Sequence, residues 1–178
     1  MLDFLDNGLI VLIGGFLIHL VLGSIYLWGN INIYVTSYLW MEGNNVTLND
    51  LFFVLPLSLF MLTIFSALGP FLLKYFNPKL ILLSGGTLLL ASYLAASYVT
   101  SVALFIILYG VFAGIGTGIC YLVPVACIWE YFPERKGCAG GIVIGGFGLS
   151  AFIFSFIVQS LFNPLNLSPD QPGGYFGS

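Results

Sequence analysis

From Leu80 to Trp129 the chain runs for fifty residues without an Asp, Glu, Lys or Arg. Three further runs, Gly8 to Trp40, Leu51 to Leu73 and Gly137 to Pro169, are also uncharged. A soluble domain carries roughly a quarter charged residues, which cover its surface with solvated groups. Here 6% are charged and 60% are apolar or aromatic. Acyl chains solvate Leu, Ile and Phe without penalty, so the sequence predicts an integral membrane protein with the lipid bilayer as its first partner. The net charge of −3 suggests no polyionic partner, and nothing in the chain is basic enough for nucleic acid.

A bilayer core of about 30 Å needs roughly 20 helical residues. The fifty-residue run is too long for one crossing and must fold back. The break is expected at Ser97 to Ser101, where polar and β-branched residues cluster. The first run is also long and is read as one helix, tilted or bent near Gly29. Spans are thus expected over about 8–39, 51–74, 79–98, 101–129 and 138–162. The runs are too long for spanning strands and do not alternate in polarity, so the fold class is all-α, a multi-pass transmembrane helix bundle. The tail 163–178, rich in Pro, Gly and Asn, reads as a polar loop.

The four basic residues set the orientation. Lys74 and Lys79 bracket the second-to-third connection; Arg135 and Lys136 lie in the fourth-to-fifth. With five spans both connections fall on the side of the N-terminus. The positive-inside rule then puts that side in the cytoplasm or, in an organelle, the matrix. The plasma membrane and the mitochondrial inner membrane are not distinguished. The sequons at Asn45 and Asn166 face the other side. The first residues carry Asp3 and Asp6 and no basic group, unlike a signal or transit peptide. Cys120, Cys127 and Cys138 form neither a disulfide framework nor a zinc pattern, and no metal or cofactor is expected.

Few polar groups lie inside the spans. His19 is the ionisable one near a midplane. It reads either as a structural group bonded to a neighbouring carbonyl or as a proton or substrate contact. Tyr26, Asn30 and Tyr34 lie four apart on one stripe of the first helix, with Ser24, Trp28 and Asn32 nearby. They make either an aromatic belt at the interface or the lining of a cavity for a small polar solute. Tyr121, near Pro124, is a second lining candidate. Gly110, Gly114 and Gly118 recur every four residues in the fourth helix, as do Gly137, Gly141 and Gly145 in the fifth. Both stripes are expected to let helix backbones pack closely, while Gly116, Gly146 and Gly148 thin other faces. Pro56, Pro70 and Pro124 lie inside spans and should bend them. No catalytic group is expected: Glu130 and Glu134 lie in the turn beside Arg135 and Lys136, and no nucleophile has a base or carboxylate beside it.

The run WEYFPERKG (Trp129 to Gly137), followed by CAGGIVIGGFG (Cys138 to Gly148), resembles the major facilitator superfamily, most closely its oxalate/formate antiporter and monocarboxylate transporter branch. There a Trp-Phe-Pro turn with an acidic and two basic residues joins helices four and five, and a glycine-rich helix follows. The run HLVLGSIYLWG (His19 to Gly29) is similar to that branch's first helix. Gly69-Pro70 with FNPK (Phe76 to Lys79) is similar to its second-to-third loop. The resemblance covers nearly the whole chain and identifies it as part of an N-terminal half. Two departures stand out. The loop at Lys74 lacks the family's preceding acid, and five helices are read where the family has twelve in two halves.

The resemblance implies transport of a small carboxylate by alternating access. An anionic cargo needs a cation near the midplane, yet all four basic residues here are in loops and His19 is the one candidate inside. Five helices alone are therefore not expected to be competent, and a second half or other membrane subunits are the expected partners. The other readings are a transporter-derived structural subunit of a larger membrane complex, with no transport activity, and a small channel subunit. No filter of carbonyls or charges supports the channel.

Overall fold

The computed structural model describes residues 2–162, with side chains described from Asn7 to Leu161. Among the described residues all regular structure is helical, as expected. Five helices are long and apolar enough to cross a membrane: α1 (Asn7–Met41), α2 (Val54–Leu72), α3 (Pro78–Ser97), α4 (Val102–Tyr131) and α5 (Lys136–Leu161). The chain is an integral membrane bundle of the multi-pass kind. The tail 163–178 and the Asn166 sequon lie outside the described residues.

Three of the helices begin or deform where the sequence gives a local reason. α3 starts after Asn77, whose side chain accepts from the Lys79 amide at 2.9 Å, with Pro78 in the first turn. α4 stops at Tyr121 and restarts at Val123, because Pro124 has no N–H to offer the carbonyl one turn back. α2 is likewise interrupted at Ala67, just ahead of Pro70. Pro56 does not bend its span, contrary to expectation. It is the third residue of Val54–Ser66, where a helical N–H has no intrahelical acceptor in any case. α1 is regular around Gly29; its irregular stretch is a 3-10 turn over Gly23–Leu27. Gly29 has open space beside it, whereas Gly23 meets the α5 backbone at Phe147. The distortion therefore sits where two helices touch.

α4 also contains a π-helical turn, Ile106–Phe112. A π turn widens the helix and disturbs its hydrogen-bond ladder. Here the Tyr109 carbonyl accepts from Ser58 Oγ of α2 at 3.2 Å, while the same hydroxyl donates to Val54 O at 2.9 Å.

Glycine contacts decide which helices pair. In α4, a Cβ on Gly114 would lie 2.5 Å from the Ser58 carbonyl of α2, and one on Gly118 would lie 2.7 Å from that of Leu62. Gly110 meets Leu57 at 3.0 Å on the same seam. Gly116 faces the other way, 2.8 Å from the Gly85 carbonyl of α3. α4 is thus clamped between α2 and α3. α5 packs mainly on α1, but not through the expected stripe: Gly137, Gly141 and Gly145 have nothing within 4 Å of an added Cβ. The contact is made by Gly146, against the Phe16 backbone, and by Gly15 of α1, 3.2 Å from Val143. The buried positions of α5 are Ala139, Gly140, Val143, Gly146, Phe147 and Ser150. They recur at helical spacing on one face, and the expected stripe lies on another.

The two ends of the bundle are tied differently. At the basic end, a Cβ on Gly8 would lie 3.2 Å from the Phe132 ring, and Trp129 Nε1 donates to the Lys136 carbonyl at 3.0 Å, closing the α4–α5 turn. At the other end, Asn44 Nδ2 donates to Leu39 O at 2.9 Å and Thr100 O at 2.7 Å, joining the first loop to the third. Asp50 accepts there from the Thr47 amide (2.7 Å) and hydroxyl (2.8 Å). Those two bonds hold its carboxyl below its ordinary range.

Candidate functional site

The structure gathers His19, Tyr26 and Tyr121 around a residue the sequence reading passed over, Phe147 of α5. Tyr26 and Tyr121 each meet the Phe147 ring edge-on, with centroids 5.1 Å apart in both cases. His19 lies 5.3 Å from Tyr121 and 6.4 Å from Phe147. Tyr26 leaves the 3-10 turn 37% exposed, and Tyr121 stands at the interruption in α4. Two deformed backbones therefore bring phenols from α1 and α4 to one ring. Phe147 carries no polar signal, so sequence alone had no reason to single it out.

Asn30 and Tyr34 take a separate place, further along α1. With Phe152, Ser155, Phe156 and Gln159 of α5 they line a cavity of about 520 Å³. Asn30 Nδ2 donates to Ser155 Oγ across it. The sequence did hold a signal for the α5 side. Ser155 and Gln159 are four apart, the same spacing as Asn30 and Tyr34, and two parallel helices in contact match such pairs turn for turn. The expected single stripe Tyr26–Asn30–Tyr34 is thus divided between two neighbouring places.

Trp28 turns inward instead. It is 3% exposed and packs on Tyr109 (5.1 Å) and Phe105 (5.7 Å). Tyr109 stacks on Tyr93 at 4.9 Å, and Tyr93 Oη lies 3.5 Å from Ser24 Oγ. This second aromatic group backs the first and fixes the far side of the 3-10 turn. Thr36 Oγ1 donates to Asn32 O at 2.8 Å, so Asn32 is used within α1.

The loop residues Lys74, Lys79, Glu134, Arg135 and Lys136 are exposed, with Lys74 Nζ 5.8 Å above the Phe71 ring. Among the described residues no three His, Cys, Asp or Glu side chains gather to hold a metal. The three cysteines are free thiols; that of Cys120 is 3.6 Å from the Leu82 carbonyl.

The fold is thus a five-helix bundle long and apolar enough for a membrane, with Tyr26 of α1 and Tyr121 of α4 meeting at Phe147 of α5. No protein-family model matches the chain. Curated relatives do. "Apicoplast pyruvate carrier 1" of Toxoplasma gondii is 30% identical over 93% of this chain and 37% of the carrier. "Monocarboxylate transporter 12" of Xenopus laevis is 31% identical over 53% of this chain and 20% of that protein. An "Uncharacterized MFS-type transporter" of Escherichia coli is 28% identical over 89% and 38%. The chain therefore spans little more than a third of the length of those it matches most fully. The resemblance read from the helix 4–5 turn and the first helix holds: these relatives are carriers of the monocarboxylate and major facilitator type, and none of the three is named as an enzyme.

Proposed function

We propose that this chain is the N-terminal bundle of a carrier for a small monocarboxylate such as pyruvate, working by alternating access against a second bundle. The observation that carries the reading is the meeting of Tyr26 and Tyr121 across Phe147, in a chain similar over most of its length to a carrier named for pyruvate. Phenol hydroxyls donate to a carboxylate, and the Phe147 ring offers an apolar contact to the cargo's short carbon end. Asn30, Tyr34, Ser155 and Gln159 extend the polar path along α1 and α5. The basic side chains Lys74, Lys79, Arg135 and Lys136 stand in the turns. A fixed cation for the carboxylate would therefore come from the second bundle. The positive-inside rule favours the cytoplasm or a matrix for the end bearing those turns.

The test is uptake of labelled pyruvate, lactate or oxalate by the chain reconstituted with its second bundle. A hydrogen bond to a charged group contributes about 1.5–3 kcal/mol. Tyr26→Phe and Asn30→Ala are each expected to weaken uptake about tenfold or more. Unchanged uptake in both variants overturns the lining. A second reading, a structural subunit without transport, is favoured by the open strip of Gly137, Gly141 and Gly145, where another helix backbone fits closely. Recovery in a fixed ratio with a larger membrane complex, and no uptake in reconstitution, would select it.

A further inference from the structure

The 3-10 turn of α1 has no cause in its own residues. Gly23–Leu27 reads Gly-Ser-Ile-Tyr-Leu, without a proline. Hydrogen bonds in a 3-10 helix are poorer than in an α-helix, and runs beyond three or four residues are uncommon. Five such residues inside a helix of 35 residues must be held from outside.

The turn is seated at both ends, on different helices. At its start Gly23 lies against the Phe147 carbonyl of α5, with Ser150 Cβ beside it. At its end the Trp28 N–H donates to the Ile25 carbonyl and closes the turn. The Trp28 side chain is buried and rests on α4, its ring centroid 5.1 Å from that of Tyr109 and 5.7 Å from that of Phe105. Those two rings stack at 5.5 Å, within 10° of parallel, and make a flat platform. Tyr109 belongs to the π turn, and Ser58 of α2 donates to its carbonyl at 3.2 Å. The polar contact on this side of the turn, between Ser24 Oγ and Tyr93 Oη, is 3.5 Å long. That is beyond the ordinary reach of an O–H···O bond and braces the turn weakly. The holding falls to the rings.

Winding links the two seats. A 3-10 helix advances about 120° and about 2.0 Å per residue, an α-helix about 100° and about 1.5 Å. Over five residues the difference is about 100° and about 2.5 Å. With Gly23 held on α5, an α-helical turn would carry Trp28 off its platform by that rotation. Tyr26, three residues past Gly23, would turn by about 60° and move by about 1.5 Å. Its ring meets Phe147 edge-on at 5.1 Å, and such a turn breaks that contact. We infer that Trp28 is a positioning residue for Tyr26: seated on Phe105 and Tyr109 of α4, it holds the turn before it in the winding that sets the Tyr26 phenol beside Phe147. That this phenol meets a carboxylate rests on the carrier reading above; the positioning itself does not.

The test reads Tyr26 directly, by the 19F spectrum of the full chain labelled with 3-fluorotyrosine in lipid nanodiscs. Tyr26 is one of ten tyrosines, and the line lost in Tyr26→Phe is its own. Phe147→Leu removes the facing ring and shows where that line lies without it. Trp28→Leu should carry the Tyr26 line towards that position. Trp28→Phe, which keeps a ring on the platform, should leave it near the wild-type place. Phe105→Leu thins the platform and changes no residue of α1; a smaller shift in the same direction is expected. A Tyr26 line that keeps its wild-type place in both Trp28→Leu and Phe105→Leu overturns the proposal, whatever either change does to stability, and leaves Trp28 as packing alone. If Trp28→Leu does not fold, Phe105→Leu decides by itself. In uptake by the chain reconstituted with its second bundle, Trp28→Leu should raise the KM for pyruvate about tenfold, the size expected for Tyr26→Phe. The two changes together should be no worse than either alone. Additive losses overturn the positioning and spare the carrier. A shifted line in a chain that takes up nothing keeps the positioning and sinks the carrier.

Discussion

Two glycine stripes of the same spacing meet opposite fates in this bundle. Gly110, Gly114 and Gly118 of α4 press on α2, the first on the Leu57 side chain and the other two with carbonyls where their side chains would be. Gly137, Gly141 and Gly145 of α5 face open space, and the residue beside the last of them, Gly146, makes the contact with α1. Spacing marks a smooth strip on a helix. It does not say whether that strip is used, because the partner lies elsewhere in the sequence. In the bilayer this matters more than in water. With no hydrophobic drive between helices, close backbone approach is a main source of their affinity.

The comparison is easiest to break at Gly145 and Gly146. Gly146→Val forces a side chain into the Phe16 backbone, which cannot rotate away. A loss of about 3 kcal/mol or more is expected, read as the shift in denaturant unfolding of the chain in micelles. Gly145→Val should change the same measurement by less than about 0.5 kcal/mol. Equal effects at the two sites would show that the faces of α5 are assigned wrongly. If Gly145→Val leaves unfolding unchanged but abolishes association with a second bundle, the open strip acquires its occupant.

A smaller effect tests the α2–α4 seam. Ser58→Ala removes the hydroxyl that bridges Val54 and the Tyr109 carbonyl of the π turn. Hydrogen bonds between membrane helices contribute about 0.6 kcal/mol on average and up to about 1.7, so a loss within that range is expected in the same unfolding assay. No loss would mean that the π turn keeps its shape without α2. The smallest effect lies outside the membrane. Asp50 has its carboxyl held below its ordinary range by Thr47. A depressed folded value means that the stabilisation is present above the unfolded value, near pH 3.8, and is lost as the pH falls through the folded one. Protection of the Thr47 amide, its exchange rate set against that of a free peptide at the same pH, should therefore be lost below about pH 4 and be already absent in Asp50→Asn. Protection at Thr47 that does not change with pH would remove the carboxylate from the account of that loop.

Much of the site was open to sequence reading and part was closed. Tyr26, Asn30, Tyr34 and Tyr121 were nameable because polar groups are costly inside a bilayer and so draw notice. Their division into two places was not, since it depends on the 3-10 turn at Gly23–Leu27 and on where α5 lies. Phe147 was invisible for the reverse reason: an aromatic residue in an apolar helix is the ordinary case. The bend expected at Pro56, and the one offered at Gly29 as the alternative to a tilt, are both missing from those positions. Each residue permits a distortion, but contact at Gly23 and position within the first turn decided the outcome.

The sequence by itself determined that this chain lives in a membrane, that it holds five helices long and apolar enough to cross one, and which end carries the cations. Transfer free energy acts on each residue where it stands and needs no partner to be known. Which glycines touch, where α1 tightens and α4 widens, and which three rings surround Phe147 were decided by the tertiary structure alone. Each of these depends on the distance between atoms far apart in the chain, and one helix carries no record of the face its neighbour will choose.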